Sequence, residues 1–145
     1  MKIRIGELAK RTGCEIVTIR YYETEGLLPP PARSEGNFRL YVEEHVERLK
    51  FIRHCRSLDM KLSEIRALLG LRDNPTQDCG EVNALLDAHI QQVEMRVEAL
   101  LQLKQHLVTL REKCPGAQLV DACGILQGLT DHSCHSVSTS NLSVA

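Results

Sequence analysis

Cys79 and Cys114 bracket the run GEVNALLDAHIQQVEMRVEALLQLKQHLVTLREK, which contains no Pro and only its opening Gly. Such a run predicts one uninterrupted helix over about residues 80–113, roughly 50 Å long at ~1.5 Å per residue. While that helix is intact, one chain cannot bring Cys79 to Cys114; an antiparallel second copy can. Val82, Leu86, Ile90, Val93, Val97, Leu100, Leu107 and Leu110 recur mostly at gaps of three and four, the spacing of a coiled-coil seam, with His89 and Lys104 as polar interruptions. A chain of 145 residues has too little other material to cover a helix of this length, so a homodimer is the economical arrangement. Cys123 lies nine residues past Cys114, which makes a thiolate site shared between two subunits the natural reading.

Hydrophobic residues make up 43% of the chain, enough for a core, and aromatics only 3%, which favours helices packed through Leu, Val and Ala. The net charge of −1 carries no nucleic-acid signature, but its distribution does. Residues 1–66 hold 13 Lys and Arg against 10 Asp and Glu, while residues 67–145 hold 5 against 9. A mildly basic N-terminal surface on a more acidic segment follows. There is no 18-residue apolar run, so no membrane span is expected, and MKIRIGELAKRTG has no apolar stretch of the signal-peptide kind. The expected setting is cytoplasmic, where clustered cysteines are metal-binding or redox-active more often than disulfide-bonded.

The first seventy residues predict short elements. RIGELAKR (4–11) reads as a helix with Ile5, Leu8 and Ala9 inward, ended by Thr12-Gly13. IVTIRYYETE (16–25) forms a second helix, closed by Gly26, and the pair fits a helix-turn-helix. Pro29-Pro30-Pro31 stops any continuation. ARSEGNFRLY then reads as a small hairpin, or wing, with Gly36 and Asn37 at the tip where positive φ is needed. Residues 42–59 are amphipathic through Val46, Leu49 and Ile52; Ser63 is placed to cap a following helix ended by Gly70, and 71–78 is turn-rich. A ten-residue second helix suits the major groove. Val17, Thr18 and Arg20 fall early or centrally on it, within reach of base edges or phosphates. Core packing is the competing reading of Val17, and an ion pair with a nearby Glu that of Arg20. Arg33 and Arg39 flank the wing and are placed for phosphate contact.

The string IRYYETEGLLPP, followed by ARSEGNFRLY, resembles the N-terminal signature of the MerR family of transcriptional regulators, over about residues 3–123. The resemblance implies a mainly α fold: a winged helix-turn-helix DNA-binding domain, a long dimerisation helix forming an antiparallel coiled coil, and a C-terminal metal-binding loop. The expected division is 1–70 for the DNA-binding domain, 71–79 for a linker, 80–113 for the dimerisation helix, 114–131 for the loop and a short helix, and 132–145 for a flexible tail. It also places the Tyr22 hydroxyl near phosphate, against a competing core role, and adds Tyr41 to the DNA-binding set. The implied partners are a palindromic double-stranded promoter and RNA polymerase. The implied activity is activation of metal-resistance or efflux genes by distortion of the promoter when metal binds.

Thiolates favour soft or borderline cations. Pro115 and Gly116 force a turn directly after Cys114, and Cys123 closes a loop able to present two sulfurs to one ion. Cys79 sits at the start of the long helix, where the macrodipole favours thiolate. In metal-responsive members of the family the ligands are one cysteine from the start of the dimerisation helix and two from the partner's loop, which implies Cys79, Cys114 and Cys123 here. This set, with a single Cys at the loop start, is similar to the lead-responsive branch. Zinc-responsive members carry a further Cys and a His in the loop, absent from CPGAQLVDAC. Three sulfurs leave room for the lone pair of Pb(II), whereas Zn(II) wants a fourth ligand. Pb(II) is therefore the expected inducer, with Cd(II), Zn(II) and Hg(II) open. His132, Cys134 and His135 form a candidate auxiliary site, against an incidental tail; His89 is a seam residue or a neighbour of the metal; Cys14 and Cys55 read as packing residues.

Two other classes compete with a regulator. An iron–sulfur redox sensor calls for closely spaced cysteines that the 114, 123, 134 spacing lacks. A metal buffer leaves the Arg-Tyr-Tyr-Glu and wing motifs without a purpose. An enzyme is not expected, since no nucleophile–base constellation or phosphate loop is present.

Overall fold

The computed structural model describes residues 1–116 and 119–132. Cys134 and His135 of the candidate auxiliary site lie outside the described residues. Elements follow in the order α1 (Ile5–Thr12), α2 (Ile16–Thr24), β1 (Ala32–Arg33), β2 (Arg39–Leu40), α3 (Glu43–Ser57), α4 (Leu62–Arg72), α5 (Gly80–Glu112), a 3-10 turn (Val120–Ala122) and α6 (Gly124–Asp131). They form two compact units, Met1–His89 and Ile90–Ala145.

In the first unit the core is built from Leu8 of α1, Ile19 and Tyr22 of α2, Leu27 and Leu28 after α2, Tyr41 after β2, Val46, Leu49 and Ile52 of α3, and Ile65 and Leu69 of α4. The turn between α1 and α2 is closed by its own polar groups. Thr12 Oγ1 donates to Leu8 O (2.8 Å) and accepts from the Cys14 N–H (3.3 Å), while Arg53 Nη1 donates to Thr12 O (2.9 Å). Gly13 adopts φ +71°, and a side chain there would also strike the Arg53 guanidinium. Cys14 and Cys55 pack on this core, as their sequence positions suggest.

The wing is a two-stranded antiparallel hairpin, Ala32 opposite Leu40 and Arg33 opposite Arg39. At its tip the Asn37 N–H donates to Ser34 O (2.9 Å), with Asn37 rather than Gly36 taking positive φ, at 64°. Ile3 and Tyr41 exchange two backbone hydrogen bonds of 2.8 Å, so the N-terminal residues pair with the chain just past β2. His45 joins the start of α3 to the proline run: its Nδ1 accepts from the Val42 N–H (3.0 Å), which leaves Nε2 to donate to Pro29 O (3.0 Å).

Helix α4 departs from expectation at both ends. Glu64, not Ser63, caps its start by accepting from the Lys61 N–H (3.0 Å). Gly70 does not end it. Helix runs to Arg72 because a mid-helix glycine costs only about 1 kcal/mol, which burial of Leu68 and Leu69 offsets. Arg48 then holds the following Asp73 (2.8 and 3.0 Å) and also donates to Leu27 O (3.2 Å).

The first turns of α5 belong to this unit too. Val82, Leu85 and Leu86 pack against the core, and His89 is buried, 8% exposed. His89 Nε2 lies 2.9 Å from Leu58 O, and Nδ1 lies 2.9 Å from Glu64 Oε2, out of line for a hydrogen bond. Val82, Leu86 and His89 are thus not outward seam positions: a 3.5-residue period marks one face of a helix without saying what covers it.

In the second unit the remaining seam is open. Ile90, Val93, Val97, Leu100 and Leu107 are exposed, Leu100 by 64%. Leu110 is the exception, buried beneath α6 at Gly128.

Candidate DNA-reading surface and metal-binding loop

Helix α2 turns Ile19 and Tyr22 into the core, which sends Val17, Arg20 and Tyr21 outward. Val17 is 73% exposed, so it is no core residue. Arg20 is exposed, and among the described residues no ion pair holds it. Thr18 is half-buried in a cleft of about 400 Å³ with Val17, Tyr21, Tyr22, Arg56 and Leu62. Arg56 stands at the rim of this cleft with Nη1 on Met60 O (2.9 Å). Tyr21, one helical turn beyond Val17, and Arg56, brought in from α3, line the same cleft.

The base of the wing is wired to α2 through Glu23. Tyr41 donates its hydroxyl to Glu23 Oε1, and Arg39 Nε lies 3.3 Å from Glu23 Oε2. Tyr41 is 0% exposed. Burial first, and then the Glu23 carboxylate, push its hydroxyl well above the ordinary tyrosine range, against the pull of Arg39 and Arg20. This corrects the expectation of a Tyr41–DNA contact: a buried hydroxyl already engaged by Glu23 is unavailable to phosphate. Tyr41 and Arg39 share the Glu23 carboxylate, one on each oxygen. Tyr22 is likewise largely buried, and burial raises its pKa above all other causes. Arg33 lies exposed on β1 and donates to Asn37 O (3.0 Å), and the Arg4 guanidinium stands 4.3 Å from the ring centre of exposed Phe38.

Cys79 is exposed and immediately precedes α5, its carbonyl accepting from the Asn83 N–H (2.9 Å). The loop cysteines belong to the other unit and meet each other. Cys114 leaves the end of α5, its carbonyl held by Arg111 Nη1 (2.6 Å) and its thiol directed to Gly116 O (3.3 Å). Cys123 occupies the position just before α6. The Leu126 N–H, chiefly, lowers the pKa of its thiol; the Ile125 N–H and the Cys114 thiol add to the effect against some burial. Two neighbouring thiols, one with its pKa lowered by the backbone N–H groups of a helix N-terminus, suit a thiophilic cation. Among the described residues no group of three His, Cys, Asp or Glu side chains is placed to hold a metal ion. His132 ends α6 in the left-handed conformation.

A winged helix-turn-helix followed by a helix of 33 residues is the architecture of a DNA-binding regulator. A model of MerR helix-turn-helix regulatory proteins matches residues 3–71, and a second, described as MerR, DNA binding, matches 46–110. The chain belongs to the MerR family and is a metal-responsive regulator of transcription. It is 52% identical over 111 residues to the transcriptional regulator ZntR homolog of Haemophilus influenzae, covering 77% of this chain and 82% of that one. The regulator PbrR691 of Ralstonia metallidurans, solved in complex with lead(II), is 57% identical with a TM-score of 0.81, covering 88% and 98% of the two chains. MerR of Bacillus megaterium, solved with mercury(II), is 32% identical with a TM-score of 0.70, covering 88% and 99%.

Proposed function

We propose that the protein is a homodimeric Pb(II) sensor in which Cys114 and Cys123 of one subunit and Cys79 of the partner subunit bind the ion. The observation that carries this reading is the incomplete dithiol. Two sulfurs meet at the end of α5, and the third candidate thiol lies beyond a helix of 33 residues, roughly 50 Å at ~1.5 Å per residue, so a second chain must supply it. The open apolar row of Ile90, Val93, Val97, Leu100 and Leu107 supports an antiparallel pairing that does so. The likeness to PbrR691 with lead(II) favours lead.

Arg20, Val17 and Thr18 read the major groove of a palindromic promoter, and Arg33 and Arg39 bind phosphates beside it. Metal acts through differential affinity. A site made by two subunits closes only in one arrangement of the dimer, so occupancy favours that arrangement and the promoter distortion that lets RNA polymerase use it. Reversing a 1:99 preference takes about a 10⁴-fold difference in affinity between the two states. Among the described residues no helix is long and apolar enough to cross a membrane, which accords with a cytoplasmic regulator. The same dithiol supports a second reading with Cd(II), Zn(II) or Hg(II) as inducer, and the mercury(II) complex of the Bacillus megaterium relative favours keeping it.

A competition titration of the reduced dimer with Pb(II), Cd(II), Zn(II) and Hg(II) tests this, read by thiolate-to-metal absorbance in the parent and in Cys79→Ser. Lead outcompeting zinc by orders of magnitude, with its band lost in Cys79→Ser, is the expected result. An unaltered lead band in Cys79→Ser would remove the shared site.

A further inference from the structure

Among the described glycines of the second unit, Gly124 makes the tightest approach, between the residue after one loop cysteine and the residue before the other. A methyl group on Gly124 would come within 2.4 Å of the Lys113 carbonyl oxygen, 3.1 Å of Lys113 Cβ and 3.3 Å of its carbonyl carbon. Gly124 follows Cys123, and Lys113 precedes Cys114. The obstructing atom is backbone, and that backbone is held. Lys113 N–H donates to Leu110 O (3.2 Å), Cys114 N–H to Arg111 O (3.2 Å), and Arg111 grips the Cys114 carbonyl (2.6 Å). A side chain at 124 would therefore displace α6 rather than the end of α5, and Cys123 would move with it. Gly128, one turn on, differs in kind. A methyl there meets Leu110 Cδ1 at 2.9 Å and Lys113 Cδ at 3.1 Å, both ends of flexible side chains that can give way.

We propose that Gly124 is the positioning residue of the metal loop: by seating α6 directly on the Lys113 carbonyl it holds Cys123 against Cys114 before any metal arrives. The inference rests on the reading of this loop as the metal site, but not on which ion binds or on the role of Cys79. A preformed pair binds an ion without first ordering the loop, so its affinity is higher than that of a floppy one. The sequence hides this, because the Gly after Cys123 looks like any helix-opening residue.

Phenylarsine oxide tests it without a metal ion. Two As–S bonds form, the two thiol protons leave with the arsenic-bound oxygen as water, and arsenic stays As(III), so only a close dithiol retains the probe. The full chain with Cys79→Ser and Cys134→Ser is used, so that no third thiol reaches the pair, and adding Cys123→Ser sets the background. Gly124→Ala should weaken probe retention about tenfold or more, the range for residues that orient ligands, with dimer mass unchanged. Gly128→Ala should stay within roughly threefold, as do substitutions that strain nothing rigid. Parental retention in Gly124→Ala, or an equal loss in Gly128→Ala, overturns the proposal. The double variant controls for melting of α6, because alanine at 128 favours helix by about 1 kcal/mol. A persisting loss supports the positioning role, and recovery overturns it. Restoring Cys79 should not lower probe retention. Should lead binding also survive in Cys79→Ser, the shared site fails while the role of Gly124 stands.

Discussion

The two units of this chain solve opposite problems. Met1–His89 is closed on itself: Leu8, Ile19, Leu49, Ile52 and Ile65 are inaccessible, and buried His45 and Thr12 are hydrogen-bonded. Ile90–Ala145 is open: its apolar row is exposed, and among its described residues no group of three His, Cys, Asp or Glu is placed to hold a metal ion. The chemistry follows the same division. In the first unit burial keeps the Tyr41 hydroxyl neutral, whereas in the second a helix N-terminus favours the Cys123 thiolate. One region is specified by its own chain; the other is specified for what it will meet.

Substitutions that act on only one side sharpen this contrast. Leu49→Ala should have the largest effect, lowering stability by about 2–5 kcal/mol through the cavity it leaves, read by urea denaturation. A loss under 1 kcal/mol would mean the first unit is not the closed core described. Leu100→Lys with Val97→Lys should leave that unfolding transition alone and weaken association by about 2 kcal/mol or more per subunit. Sedimentation equilibrium reads it, and a dimer as tight as the parent would show that the row is not the interface. Arg20→Ala should reduce operator affinity and flatten its salt dependence, by a slope of about 0.9 for each phosphate no longer neutralised. An unchanged affinity and slope would take Arg20 off the reading surface.

The smallest predicted effects are those of pH, and they have opposite signs in the two regions. The folded pKa of Tyr41 is raised, so its contribution is complete below the unfolded tyrosine value of about 10 and is lost as pH rises through the higher folded value. Tyr41→Phe should remove that alkaline loss; a persisting loss would assign it elsewhere. The folded pKa of Cys123 is lowered, so its contribution is complete above the ordinary cysteine value and is lost as pH falls through the lower folded one. Alkylation of Cys123 by iodoacetamide should accordingly hold its rate to lower pH than alkylation of a free cysteine in a short peptide. Coincident profiles would remove the helix-end effect.

Much of this is legible in the residues. The order of helices, the wing, the outward Arg20 and the length of α5 follow from local signals: an apolar period, glycines after helices, a proline stop. Where pattern and structure part, one cause recurs. Family spacing groups Tyr41 with DNA contacts because position along a hairpin does not say which face the core takes. The seam pattern claims Val82, Leu86 and His89 because one periodic stripe serves a chain's own core and a partner equally well. Gly70 reads as a stop when propensity is weighed without the burial of Leu68 and Leu69.

By itself, then, the sequence determined the elements, the separation of Cys79 from the loop thiols along one helix, and the need for a covering partner, since each follows from local conformational preference and chain length. Only the tertiary structure decided which side chains face inward. It turned His89 to Glu64, joined Tyr41 and Arg39 through Glu23, and set Gly124 against the Lys113 carbonyl. Those outcomes depend on the approach of distant backbone segments, and close packing settles them at a few tenths of an ångström, a scale on which residue pattern carries no information.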